Sequence, residues 1–229
     1  MKQNIVVLTG AGISAESGLK TFRDANGLWE GHDVMQVASP HGWQADQELV
    51  LEFYNQRRRQ LLEVQPNAAH KALVNLETEY TVHIVTQNVD DLHERAGNSK
   101  VMHLHGELFK VRCTHNETDV QEWKKDLVTG DLSKEGYQLR PHIVWFGEMV
   151  PLLEPAATLV SQADHILIIG TSMQVYPAAG LIDYAHEKAN IYFIDPRPSV
   201  QPKEKLHIFA EKATTGVPKV VQMLMGAND

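Results

Sequence analysis

The sequence predicts an α/β protein, a doubly wound Rossmann-like parallel sheet carrying a small inserted lobe. Three observations lead there. Short apolar, β-branched runs recur along the chain, as expected of strands covered on both faces. Segments of helical spacing alternate with them. A glycine-rich turn, Gly10-Ala11-Gly12-Ile13-Ser14-Ala15, follows the first run directly.

In chain order, strands are expected at residues 5–9, 82–86, 101–104, 142–146, 165–169 and 191–194, with a weak seventh at 208–209. Helical patterns occupy 47–62, 67–79, 152–162, 178–188 and 219–225. Two intervals break the alternation. Residues 31–66 hold a long helix, and residues 111–140 are polar, with turn signals at 129–131 and 135–136. The expected layout is one domain over 1–229. Its large part spans about 1–30, 67–110 and 141–229, and its lobe about 31–66 and 111–140.

Composition bounds the function. The 229 residues are 43% hydrophobic and 22% charged, a globular balance. A formal charge of −8 offers no basic footprint for nucleic acid. Cys113 is the one cysteine, which excludes a disulfide framework or a four-cysteine metal site within the chain. No apolar run is long enough to span a bilayer, and the N-terminus lacks a signal-peptide layout. A cytoplasmic protein with no membrane partner is expected, monomeric by default.

The glycine turn suits a nucleotide diphosphate: glycine permits close backbone approach, and a following helix would offer free N–H groups and its positive end. Ser14 is the expected cap of that helix. An ordinary strand-to-helix turn is the competing reading. The dehydrogenase pattern, with an acid ending a second strand roughly 20 residues on, is missing. Asp195, after the run 191–194, could instead accept from ribose hydroxyls, and Gly170-Thr171-Ser172 forms another turn at a strand end. Two more strand ends carry polar clusters, Gln87-Asn88-Val89-Asp90 and His105-Gly106-Glu107. Each alone could be a cap or a turn filler. On one sheet they would face the same crevice.

Gly10-Ala11-Gly12-Ile13-Ser14, Thr21-Phe22-Arg23, Gln87-Asn88-Val89-Asp90, His105-Gly106, Val144-Trp145-Phe146-Gly147-Glu148 and Gly170-Thr171-Ser172 together resemble the sirtuin signature set, in sirtuin order and over nearly the whole chain. Within that family the chain looks like the bacterial CobB type of protein-lysine deacylase. The resemblance implies removal of acyl groups from lysine at the expense of NAD, releasing nicotinamide and O-acyl-ADP-ribose. His105 would be the general base on a ribose hydroxyl. Asn88 would position ribose and water, and Asp90 would hold the nicotinamide carboxamide. Phe22 and Arg23 would belong to a loop closing over the cofactor. Gly10, Ala11, Gly12, Glu16, Gln87, Gly170, Thr171, Ser172 and Ala213 would line it. Asp195 stands where sirtuins generally carry Asn. Val144, Trp145, Phe146 and Gly147 would present backbone to the acylated peptide.

Tyr54 and Arg57 lie three residues apart on the long helix, hence on one face. By spacing alone the favoured reading is Tyr54 as a core residue and Arg57 as part of a solvated basic patch. The family resemblance makes them a carboxylate clamp for succinyl or malonyl groups, with small Ala38 leaving room for the longer chain. Sirtuins usually carry two cysteine pairs in the lobe, whereas this chain retains only Cys113 beside His115, so zinc is expected to be absent. An ADP-ribosyltransferase or NAD hydrolase, and a non-catalytic NAD or acyl-lysine binder, are the competing functions.

Overall fold

The computed structural model describes residues 2–20, 28–29, 31–198, 200–201 and 203–226. Strand β1 (Asn4–Thr9) is followed by two short 3-10 turns, Ala11–Ile13 and Ala15–Ser17. Next come β2 (Leu28–Trp29), β3 (His32–Asp33), α1 (Val34–Val37), α2 (Pro40–Ala45), α3 (Gln47–Glu63) and α4 (Ala68–Leu76). The chain continues through β4 (Thr81–Thr86), α5 (Leu92–Ala96), β5 (Val101–His103), β6 (Gly106–Cys113), β7 (Val120–Glu122) and β8 (Leu139–Ile143). It closes with α6 (Leu153–Ser161), β9 (His165–Ile169), a 3-10 helix (Ala178–Tyr184), β10 (Asn190–Ile194), β11 (Leu206–Phe209) and α7 (Ala213–Gly226).

Six strands form one parallel sheet in the order β11-β10-β9-β1-β4-β5. Alternation along β1 explains the two helical layers. Ile5 and Val7 join a core built with α4 and α7, while Val6 and Leu8 join one built with α6 and the 3-10 helix. The chain winds from β1 through β4 to β5, then returns to β9 on the other side of β1. That reversal puts a crevice at the C-terminal ends of β1, β4 and β9.

The lobe is a three-stranded antiparallel sheet, β7-β6-β8, packed against α3. The strand expected at 142–146 within the main sheet is therefore corrected: β8 ends at Ile143 and pairs with β6 in the lobe. β6 itself escaped the sequence reading because Glu107 and Lys110 interrupt its apolar run and its start carries the His105-Gly106 turn. The helix expected at 178–188 is a shorter 3-10 helix. The last helix begins six residues before the expected 219, because Pro218 inside it masks its first turns. Among the described residues, no helix is long and apolar enough to cross a membrane.

A polar clamp joins the lobe to α3. The side-chain amide of Asn55 donates to the Leu127 carbonyl at 3.0 Å and its oxygen accepts from the Leu127 N–H at 2.8 Å. Arg58, fully buried, donates to Asn55 at 2.6 Å and to the Leu108 carbonyl at 3.0 Å.

Candidate active site

The glycine turns of β1 and β9 meet backbone to backbone. The Gly12 amide donates to the Gly170 carbonyl at 2.8 Å, and a Cβ on Gly12 would lie 2.6 Å from the Gly170 Cα. Gly170 has φ +59°, the left-handed region that favours glycine. Ser14 does not cap a helix as expected. The backbone after Gly10 tightens into 3-10 turns, whose bonds engage the Ile13 and Ser14 amides within the turn. Ser14 Oγ is free to donate to Asp90 instead, at 2.9 Å.

At the end of β4, Thr86 Oγ1 accepts from the Asn88 amide at 3.0 Å, fixing the turn. The Asn88 side chain then reaches back to the Gly10 carbonyl at 3.1 Å and Ser14 Oγ at 3.3 Å. Gln87 donates to Thr171 Oγ1 at 3.3 Å, so the ends of β1, β4 and β9 are tied together. Asp90 is buried, and burial raises its carboxyl pKa to about 6 against the bonds from Leu92 N–H and Ser14.

His105 and His103 lie beyond β5 and at its end, and their environments push them apart. Burial lowers the His105 pKa, opposed only by the Gln87 carbonyl 3.1 Å from Nδ1. For His103, burial opposes the charge, but bonds to Glu94 at 2.7 Å and the Asn88 carbonyl at 2.9 Å outweigh it and raise the pKa. His103 thus supports the Asn88 turn. Sequence reasoning did not single out His103.

One cavity of about 370 Å³ brings most of the expected site together. Ala11, Gln87, Asn88, Asp90 and His105 line it from the sheet, Ala38, Tyr54 and Arg57 from α1–α3, and Val144, Trp145, Phe146 and Gly147 from the segment after β8. Arg57 donates to the Phe53 carbonyl at 2.6 Å, and its guanidinium carbon lies 3.6 Å from the Phe53 ring centre. Tyr54 is buried, and desolvation raises its pKa, so the phenol stays protonated. The segment 144–147 is not a strand. Its first three amides are bonded to the His105 carbonyl, the Glu148 carboxylate and the Ala38 carbonyl.

Other expected residues lie off the cavity wall. Glu16 accepts from the Thr214 amide and hydroxyl at the start of α7, beside buried Ala213. Asp195 is buried and accepts from the Arg197 amide at 2.9 Å. Gly10, Gly12, Gly170, Thr171 and Ser172 form the two turns behind Ala11. Phe22 and Arg23 fall outside the described residues. In the lobe, buried Cys113 Sγ lies 3.4 Å from Ser133 Oγ, and His115 stacks on Tyr137. No group of three or more His, Cys, Asp or Glu among the described residues is placed to hold a metal ion.

The model of the Sir2 family matches residues 10–177. A Helicobacter pylori protein named NAD-dependent protein deacylase is 65% identical over 195 residues, 85% of each chain. One from Bacteroides thetaiotaomicron with the same name is 51% identical over 98% of this chain and 99% of its own. The crystal structure of a Sir2 homologue–NAD complex, 38% identical, covers all of this chain and 91% of its own, with a TM-score of 0.86.

Proposed function

The chain belongs to the Sir2 family, and from that premise we propose that it is an NAD-dependent protein-lysine deacylase removing succinyl and malonyl groups as well as acetyl. The observation that carries the reading is a shared cavity: Asn88, Asp90 and His105 line it together with Tyr54, Arg57 and Ala38.

The residues present fit NAD. Gly10, Gly12 and Gly170 let the two turns close backbone to backbone behind Ala11, and Asp90 is a buried acceptor able to take a carboxamide N–H. When bound, NAD would supply the ribose carbon at which an acyl-amide oxygen displaces nicotinamide. Asn88 orients the ribose and an incoming water. The Gln87 carbonyl accepts a hydrogen bond from the Nδ1–H of His105, so Nε2 carries the lone pair that accepts a ribose hydroxyl proton. Asp195 would accept from the distal ribose, with Glu16 and Ala213 at that end. The acylated lysine enters along 144–147. Arg57 pairs with a terminal acyl carboxylate and Tyr54 adds a third hydrogen bond. The lobe holds without zinc, on the Asn55–Arg58 clamp.

The test incubates the protein and NAD with acetyl-lysine and succinyl-lysine peptides and follows free lysine and O-acyl-ADP-ribose by mass spectrometry, with His105→Tyr as control. NAD-dependent release lost in the control is the expected result. ADP-ribosylated protein without O-acyl-ADP-ribose would replace the reading with a transferase, and NAD binding without nicotinamide release with a binding protein.

A further inference from the structure

Tyr54 and Trp145 are buried in contact, with ring centroids 6.5 Å apart and planes 29° from parallel. The indole Nε1 lies 3.0 Å from the Tyr54 hydroxyl oxygen. An indole N–H only donates, so the direction of this bond is fixed: the phenol oxygen accepts. The one proton of the phenol is then left to donate into the cavity that Tyr54 lines.

Trp145 is itself held at two further points. The Arg140 guanidinium carbon lies 3.3 Å from the centre of its ring, and its own amide donates to the Glu148 carboxylate at 2.8 Å. Glu148 also accepts from Arg140 at 2.6 Å and from Arg112 at 3.2 Å. Arg112 and Arg140 stand opposite each other on β6 and β8, a like-charged pair that this one carboxylate bridges. The indole is fixed against a network with little freedom to turn.

We propose that Trp145 is a specificity-determining residue: by occupying the acceptor side of Tyr54, its indole N–H presets the phenol as a donor, selecting acyl groups that end in an acceptor such as a carboxylate. This rests on the deacylase reading above. An acetyl group ends in a methyl and gains nothing from the preset phenol. A succinyl group gains a hydrogen bond that needs no reorientation.

The test compares kcat/KM for succinyl-lysine and acetyl-lysine peptides in the wild type, Trp145→Phe, Tyr54→Phe and the double variant. Trp145→Phe keeps an aromatic ring and deletes the N–H. The succinyl-to-acetyl ratio is expected to fall about three- to tenfold, the worth of one hydrogen bond, through a higher succinyl KM. In the Tyr54→Phe background the same change should lower the ratio no further, because the residues act as one unit. A purely structural role would instead give losses that add and strike both peptides alike, which overturns the proposal. So does an unchanged ratio in Tyr54→Phe, a result that stands even if Trp145→Phe does not fold. A wild type that turns over neither peptide removes the deacylase reading and this inference with it. A wild type that turns over both keeps that reading whatever the variants show.

Discussion

His105 Nδ1 lies 3.1 Å from the carbonyl oxygen of Gln87, and this contact decides which ring nitrogen is free to act. A backbone carbonyl only accepts, so Nδ1 carries the proton and Nε2 the lone pair. Burial lowers the His105 pKa, and the working base is the neutral ring. The acid limb of kcat/KM attributable to His105 therefore lies below the ordinary imidazole range. His105→Tyr should lower kcat at least about 100-fold, the low end of general-base contributions, with NAD affinity retained. Single-turnover rates beside calorimetric NAD titrations check both halves.

Asp90 titrates at about 6 because burial disfavours its charge. The carboxylate is a stronger acceptor than the protonated acid for the Ser14 hydroxyl and for the carboxamide N–H proposed above. The sign follows: NAD binding is at full strength well above pH 6 and weakens as pH falls through it. Asp90→Asn removes the charge at constant size and should weaken NAD about tenfold at pH 8, the difference between a charged and a neutral hydrogen bond. The variant should also lose the pH dependence near 6. A titration series between pH 5 and 8 reads both.

Much of this site was legible because its residues sit at strand ends. The apolar runs at 5–9, 82–86 and 165–169 placed Gly10, Asn88 and Gly170 at one edge of one sheet, and winding order did the rest. The lobe was less legible. Its sheet uses short strands with polar faces, where neither alternation nor apolar runs speak clearly, and its clamp depends on Asn55 and Arg58, whose burial no sequence pattern signals. Ser14 shows a different limit. Its motif position was clear, but whether it caps a helix or serves Asp90 depended on the turn geometry that followed.

The two glycine turns leave no space for a methyl. A Cβ on Gly12 would sit 2.6 Å from the Gly170 Cα and 2.7 Å from its carbonyl oxygen, and these backbone atoms have no flexible end to move. Gly12→Ala should separate the turns and cost about 1–3 kcal/mol. A lower thermal midpoint, together with weakened NAD binding, is the expected pair of results. Retained affinity would mean that the turn does not hold the cofactor.

The Asn55–Arg58 clamp carries a specific stability prediction. Asn55→Ala strips the Leu127 amide and carbonyl of partners and leaves Arg58, 1% exposed, without its shortest bond. Unpaired buried groups make this cost about 2–3 kcal/mol, a fall in melting temperature of roughly 5–10 °C. With the clamp as the lobe's support, a chelator should leave the wild-type melt unchanged. Elemental analysis finding stoichiometric zinc, or a chelator that lowers the melt, would contradict a lobe held without metal.

Arg57 separates acidic from neutral acyl groups most directly. Its guanidinium is fixed by the Phe53 ring and carbonyl, so a carboxylate meets a fork already oriented rather than a mobile cation. Arg57→Met keeps most of the stem and its packing on Phe53 while removing the charge. The succinyl kcat/KM should fall about 10- to 100-fold, the worth of a charged hydrogen-bonded contact, and the acetyl value far less. Arg57→Lys separates charge from geometry: an ammonium restores attraction without the two-pronged contact, so recovery should be partial and appear in KM. Equal losses on both peptides in Arg57→Met would show that the residue supports the fold of α3 and does not read the acyl group.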